Sequence, residues 1–149
     1  MQVKLLSPSQ WSSAKERITR FLYRYGDSRL THAGLAALND LRASRLTASS
    51  RGAEAGAAVA VAIKDGKLAA VAFADDGGER ACFVVVSPEF RGQGVGSLLL
   101  RALHRKLGRL TCSVASDNPS SMNMCFRAGM KAVSLHTGPT GKPTLRFEH

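Results

Sequence analysis

The residues whose types and spacing could do chemistry here are Arg91-Gly92-Gln93-Gly94-Val95-Gly96-Ser97. The glycines let a backbone come close to a ligand without a side chain in the way. A helix pattern begins immediately behind them, and a helix N-terminus offers unpaired N–H groups and a partial positive charge. Together these could hold an anion, a phosphate above all, and Arg91 adds a formal charge. Two familiar phosphate loops do not fit. The dinucleotide fingerprint needs a glycine three residues after Gly94 or Gly96, and those positions hold Ser97 and Leu99. The P-loop needs Gly-Lys-Ser/Thr, which does not occur. The bland alternative is a strand-turn-helix corner whose glycines only relieve crowding.

The elements that must position this loop can be read on either side of it. Cys82 to Val86 is an unbroken apolar run, so it reads as a strand buried on both faces. Ser87-Pro88 stops it. After the loop, Val95, Leu98, Leu99, Ala102, Leu103 and Leu107 recur at helical spacing and predict a helix packed on a sheet. Upstream, Gln2 to Leu6 predicts a short strand. Ser7-Pro8-Ser9-Gln10 reads as a capping box with proline at the first helical position. The stripe Trp11, Ala14, Ile18, Phe21, Leu22, Tyr25 carries that helix to about Gly26. A second helix is expected from Thr31 to Leu46, with a loop over 48–56. Ala57 to Ile63, Leu68 to Ala74 and Arg80 to Val86 predict an antiparallel meander, turning at Asp65-Gly66 and at Asp75-Asp76-Gly77-Gly78. Leu110 to Ala115 should run parallel to the central strand through a right-handed crossover. Asn118 with Pro119 opens a further helix that Gly129 ends. The last strands are expected over Met130 to His136 and Thr144 to Glu148.

Composition bounds the rest. The 149 residues make a single domain, 1–149, large enough for a real core. No apolar run approaches a membrane span, and the N-terminus lacks a signal-peptide pattern, so a cytoplasmic protein with no membrane partner is expected. Cys82, Cys112 and Cys125 are far apart and the four histidines do not cluster, so no metal site is expected. The net charge of +10 would suit an anionic ligand or a nucleic acid. The basic residues are scattered over the chain and show no aromatic-interleaved patch, which disfavours nucleic acid.

The approach Val86-x-Pro88-x-x-Arg91 and the loop Arg91-x-x-Gly94-x-Gly96 resemble motif A of the GCN5-related N-acetyltransferases, the GNAT family. The helix-opening stretch resembles motif B of the same family: Asn118, then Ser121 at the small position, Met124 at the leucine position and Gly129-Met130 at the Gly-Phe position. The family's tyrosine position holds Cys125. The motifs cover about Cys82 to Met130. The resemblance implies an α/β fold with a mixed sheet: two N-terminal helices, an antiparallel meander, then strand, loop, helix and strand, with the central strands splayed apart.

It also implies acetyl-CoA as donor and an amine as acceptor, with direct transfer and no metal. The pantetheine arm would pair with the backbone of Val84, Val85 and Val86. The pyrophosphate would lie on the N–H groups of Gln93, Gly94, Val95, Gly96 and Ser97, reached past Gly92, with Arg91 beside it. Asn118, Ser121 and Cys125 would border the cofactor. A backbone N–H of Val85 or Val86 would stabilise the oxyanion. Glu79 is the implied base, with Asp75 and Asp76 weaker candidates. As the acid, Cys125 competes with a reading in which it only packs, and packing is preferred. Tyr23 or Tyr25 could serve only if the first helix folds over the site. A GNAT fold that binds CoA without turnover is the alternative, motivated by the missing tyrosine. A homodimer stays open.

Overall fold

The computed structural model describes residues 1–27, 30–47 and 56–149. The first strand, β1, covers Gln2–Leu5, and the first helix, α1, covers Pro8–Tyr25. The capping box forms as expected: Gln10 N–H donates to Ser7 Oγ at 3.2 Å, and Ser7 N–H donates to Gln10 Oε1 at 2.9 Å. Trp11, Ile18, Phe21 and Leu22 are buried along one face of α1. The second helix, α2, covers only His32–Asn39, shorter than the leucine spacing predicted. Asn39 and Asp40 favour helix ends over interiors, and the chain continues into a separate 3₁₀ turn over Ala43–Thr47. Leu41 and Leu46 stay buried across that break, which is why the periodicity read as continuous. The loop expected over 48–56 lies, apart from residue 56, outside the described residues.

Strands β2 (Ala58–Lys64), β3 (Lys67–Asp75) and β4 (Ala81–Val86) form the meander, and β1 adds to β2, giving the antiparallel order β1-β2-β3-β4. Asp65 and Gly66 both take positive φ (50° and 75°), as a two-residue hairpin with the right twist requires. The sheet's two faces differ in side-chain size. Val59, Val61, Val71 and Phe73 meet the residues of α1 and α2. Ala58, Ala60, Ala62, Ala70, Ala72 and Ala74 meet the third helix, α3 (Val95–Leu107). A face of alanines lets α3 sit close, so Leu99, Leu100 and Leu103 are sealed beneath it. Leu98, expected on the inward stripe, is exposed, and Leu100 is buried instead.

The remaining strands make a second sheet. Strand β5 (Thr111–Ala115) pairs with β7 (Pro143–Glu148), which pairs with β6 (Lys131–Thr137), all antiparallel. The last helix, α4 (Pro119–Arg127), joins β5 to β6. Strand β5 starts beside β4 but forms no hydrogen-bonded ladder with it among the described residues. The two meet at their beginnings. Gly78, at φ 99°, lies so close to Thr111 that a Cβ there would sit 1.9 Å from the Thr111 carbonyl oxygen. Cys112 Sγ lies 4.0 Å from the Cys82 carbonyl oxygen. Beyond these contacts the central strands are unladdered, which matches the splay that the resemblance implies.

Candidate functional site

A cleft of ≈ 580 Å³ opens along the unpaired edge of β4. One wall is Phe83, Val84, Val85 and Val86 of that strand. The floor at one end is Arg91, Gly92, Gly94, Val95, Gly96 and Ser97, the loop and the first turn of α3. Gly94 is the N-cap of α3 in the left-handed region (φ 78°, ψ 10°), and no side chain caps the helix there. The N–H of Leu98 finds the Gly94 carbonyl at 3.2 Å. The N–H groups ahead of it are the orphan donors of the helix start, and they lie at the cleft. Arg91 is anchored by Nε donating to the Val86 carbonyl at 3.1 Å, so its guanidinium is held at the loop end while that carbonyl is already satisfied. Gln93 does not line the cleft; its side-chain amide lies 3.4 Å from the Glu89 carbonyl.

The opposite wall is α4. Asn118 caps it: Oδ1 accepts from Ser121 N–H at 3.3 Å, and Nδ2 donates to Ser121 Oγ at 2.9 Å. Both residues line the cleft. Ser97 Oγ donates to the Met124 carbonyl at 2.9 Å and ties α3 to α4. Gly96 faces the same neighbour: a Cβ there would lie 2.6 Å from Met124 Sδ. Gly96 therefore serves helix packing as well as access to the loop.

The structure does not bring Cys125 or Glu79 to this cleft. Cys125 is only 2% exposed. Its thiol is held well above the usual range by its hydrogen bond with Cys112, then by burial. Glu79 is fixed by Arg146, with Oε1 2.6 Å from Nη2 and Oε2 3.1 Å from Nη1. That bond, and then the charges of Arg146 and Arg109, hold its carboxyl below the usual carboxylate range against a partial opposing effect of burial. Asp75 is buried and ion-paired with Arg45 at 2.5 Å, and Asp76 lies 3.5 Å from Arg109.

The third side of the cleft comes from the far N-terminal part of the chain. Tyr25, Gly26, Asp27 and Leu30, at and beyond the end of α1, line it. Tyr25 packs edge-on against Phe21 at 5.0 Å, with the Arg24 guanidinium 5.2 Å from its ring centre. Tyr23 points away and is 68% exposed. Asp27 and Leu30 had no signal in the sequence beyond following a helix-ending glycine. Ser120, Asn123, Met124 and Arg127 complete the α4 wall.

Residues 55–127 match the family model of the acetyltransferase (GNAT) domain. No curated protein sequence matches the chain. Among solved structures, a GNAT-family protein from Desulfovibrio desulfuricans superposes with a TM-score of 0.68 at 16% identity, covering 99% of this chain and 98% of that one. A variant of spermidine N-acetyltransferase SpeG from Vibrio cholerae gives 0.62 at 14% identity, with 99% and 94% covered. Aminoglycoside acetyltransferase AAC(6')-Ib, in complex with coenzyme A and kanamycin, gives 0.57 at 15% identity, with 99% and 93% covered. At such identities the likeness establishes the fold.

Proposed function

Residues 55–127 carry an acetyltransferase (GNAT) domain, and on that premise we propose that the chain transfers an acetyl group from acetyl-CoA to a primary amine. The observation that carries this reading is the cleft itself. The unladdered edge of β4, the uncapped start of α3 with Arg91, and the Asn118–Ser121 cap all face one space. An extended amide chain fits an unpaired strand edge, and a pyrophosphate fits a glycine-rich helix start.

In this mechanism the neutral amine attacks the thioester carbonyl carbon. The N–H of Val85 or Val86 stabilises the oxyanion that forms. The carbon–sulfur bond then breaks, and the CoA thiolate takes a proton. The ammonium proton of the intermediate passes to water. Neither Glu79, tied to Arg146, nor Cys125, buried in the core, lines the cleft where these protons move. Tyr25 lines the cleft, and its phenol is the group proposed to protonate the thiolate and to recover its proton from solvent. A single assay tests the reading: calorimetric titration with CoA, then release of free thiol from acetyl-CoA with a panel of amines that includes spermidine and kanamycin. Binding with amine-dependent thiol release supports it. Binding without release from any amine supports the alternative, a CoA-binding GNAT module, which the cysteine at the tyrosine position favours. No binding at all refutes both.

A further inference from the structure

We infer that the protein holds a second binding site, apart from the cleft, which takes a small anionic amphiphile: a carboxylate on a short aliphatic chain. The site is a groove of ≈ 320 Å³ between the N-terminal half of α1 and the β1-β2-β3 part of the sheet. It shares no lining residue with the cleft along β4. Ligand pockets span about 300–1,000 Å³, so this one suits a short occupant.

The groove follows from small side chains on one stretch of α1. Trp11, Ile18, Phe21 and Leu22 are buried along the face that meets the sheet. Ala14 stands in the same stripe and ends at a methyl group. On the neighbouring row, four residues apart, are Ser9 and Ser13. These three line the groove and leave space over Leu6, Val61, Ile63 and Leu68. Leu6, Ile63 and Leu68 are only half-buried. A hydrocarbon chain laid on them would remove apolar surface from water on both partners.

The formal charges on the groove are of one sign. Among the described residues, Lys4 and Arg17 line it and no carboxylate does. Lys4 pairs with Val61 in the β1-β2 ladder, so it shares the sheet face that α1 covers. Arg17 is tied to the β2-β3 hairpin by Nη2 donating to the Gly66 carbonyl at 3.0 Å. That bond fixes the guanidinium and leaves N–H groups to spare. Both residues are exposed, and neither has an ion pair among the described residues. A fixed guanidinium and an ammonium beside an apolar floor match a carboxylate with a hydrocarbon tail. An alkylammonium would meet two like charges, and an alcohol would leave both cations unmatched.

The test is calorimetric titration of the full chain with octanoate, octanol and octylamine at low salt, without CoA and then with saturating CoA. Octanoate is expected to fill a single site, roughly tenfold or more tighter than octanol or octylamine, as charge-assisted hydrogen bonds imply. Its affinity should be the same with CoA present. Ala14→Leu, which fills the groove, should abolish saturable octanoate binding. Lys4→Gln combined with Arg17→Gln should reduce octanoate to the affinity of octanol. Both variants should bind CoA as the wild type does. Octanol binding as tightly as octanoate overturns the inference, and so does competition between octanoate and CoA. No octanoate binding at millimolar concentration, or unchanged binding in either folded variant, overturns it too. If Ala14→Leu does not fold, the paired charge variant decides, because both of its positions are exposed. The titration without CoA keeps this result independent of the acetyltransferase reading.

Discussion

Replacing Gly94 by asparagine and, separately, by aspartate isolates the charge preference of the loop. At φ 78° the residue is left-handed, and a Cβ built there meets nothing within 4 Å. Both side chains therefore fit, and both share the left-handed strain of about 1 kcal/mol, which lowers Tm by roughly 2–4 °C in a chain of this size. The two substituents have nearly the same shape and differ by one negative charge. In the free protein the two side chains are about equal as N-caps and the aspartate also complements the helix dipole, so Gly94→Asp should melt no lower than Gly94→Asn. Against a bound pyrophosphate the order reverses. A carboxylate about 5 Å from a phosphate charge is opposed by about 1 kcal/mol at the dielectric of water and about 3 kcal/mol at an effective dielectric near 20. That range corresponds to CoA binding roughly 5- to 200-fold weaker for the aspartate than for the asparagine. Calorimetric titration of both variants at low and high salt measures it, and the gap should narrow as salt rises. Equal affinities in two folded variants would refute the assignment of this loop to phosphate.

Other residues give separate tests. Cys125→Ala should leave kcat within about twofold and lower Tm by a few degrees, because a buried atom is lost at roughly 1 kcal/mol; a large fall in kcat at unchanged Tm and CoA affinity would make the thiol a proton donor after all. Cys125→Tyr should destabilise by overpacking. Glu79→Gln should leave turnover nearly unchanged, and a fall of a hundredfold or more would restore Glu79 as the base. The same substitution has a pH signature. The Glu79 carboxyl is held low in the folded chain, so its contribution is fully present above the unfolded value of about 4.3 and is lost as pH falls through the lowered folded value. Between about pH 5 and pH 3 the wild type should lose slightly more Tm than Glu79→Gln, a small difference because the pair is solvent-exposed. Tyr25→Phe keeps the ring packing and removes the hydroxyl. It should lower kcat roughly ten- to a hundredfold, the low side of a general-acid effect because a thiolate leaves readily, with CoA affinity unchanged; full activity in that variant would remove the phenol from the mechanism.

The phosphate end of the cleft was legible because its chemistry is local. Arg91, Gly94 and Gly96 lie within six residues, and Asn118 announces its helix by capping chemistry alone. The other end was not legible. Tyr25 and Asp27 lie nearly sixty residues before Val84, and no periodicity says which end of a helix will fold over which strand. Cys125 was ambiguous for a related reason. Its position on α4 follows from spacing, but its contact with Cys112 depends on how α4 sits over β5. The order β5-β7-β6 is likewise a non-local choice, since a hairpin pattern does not say which of its strands takes the inner place. The break after Asn39 was masked because Leu41 and Leu46 reach the core by a different backbone path.

The contact of Gly78 with Thr111 acts as a pivot. The two central strands form no ladder with each other among the described residues, so a change in their separation at this point is carried along β4 toward Val84, Val85 and Val86, which line the cleft. A side chain at position 78 would push the strands apart at the closed end and alter the mouth, while every residue that lines the cleft kept its identity. The breadth of the groove can therefore drift independently of its chemistry. A residue that never meets the contents of the cleft sets how bulky those contents can be.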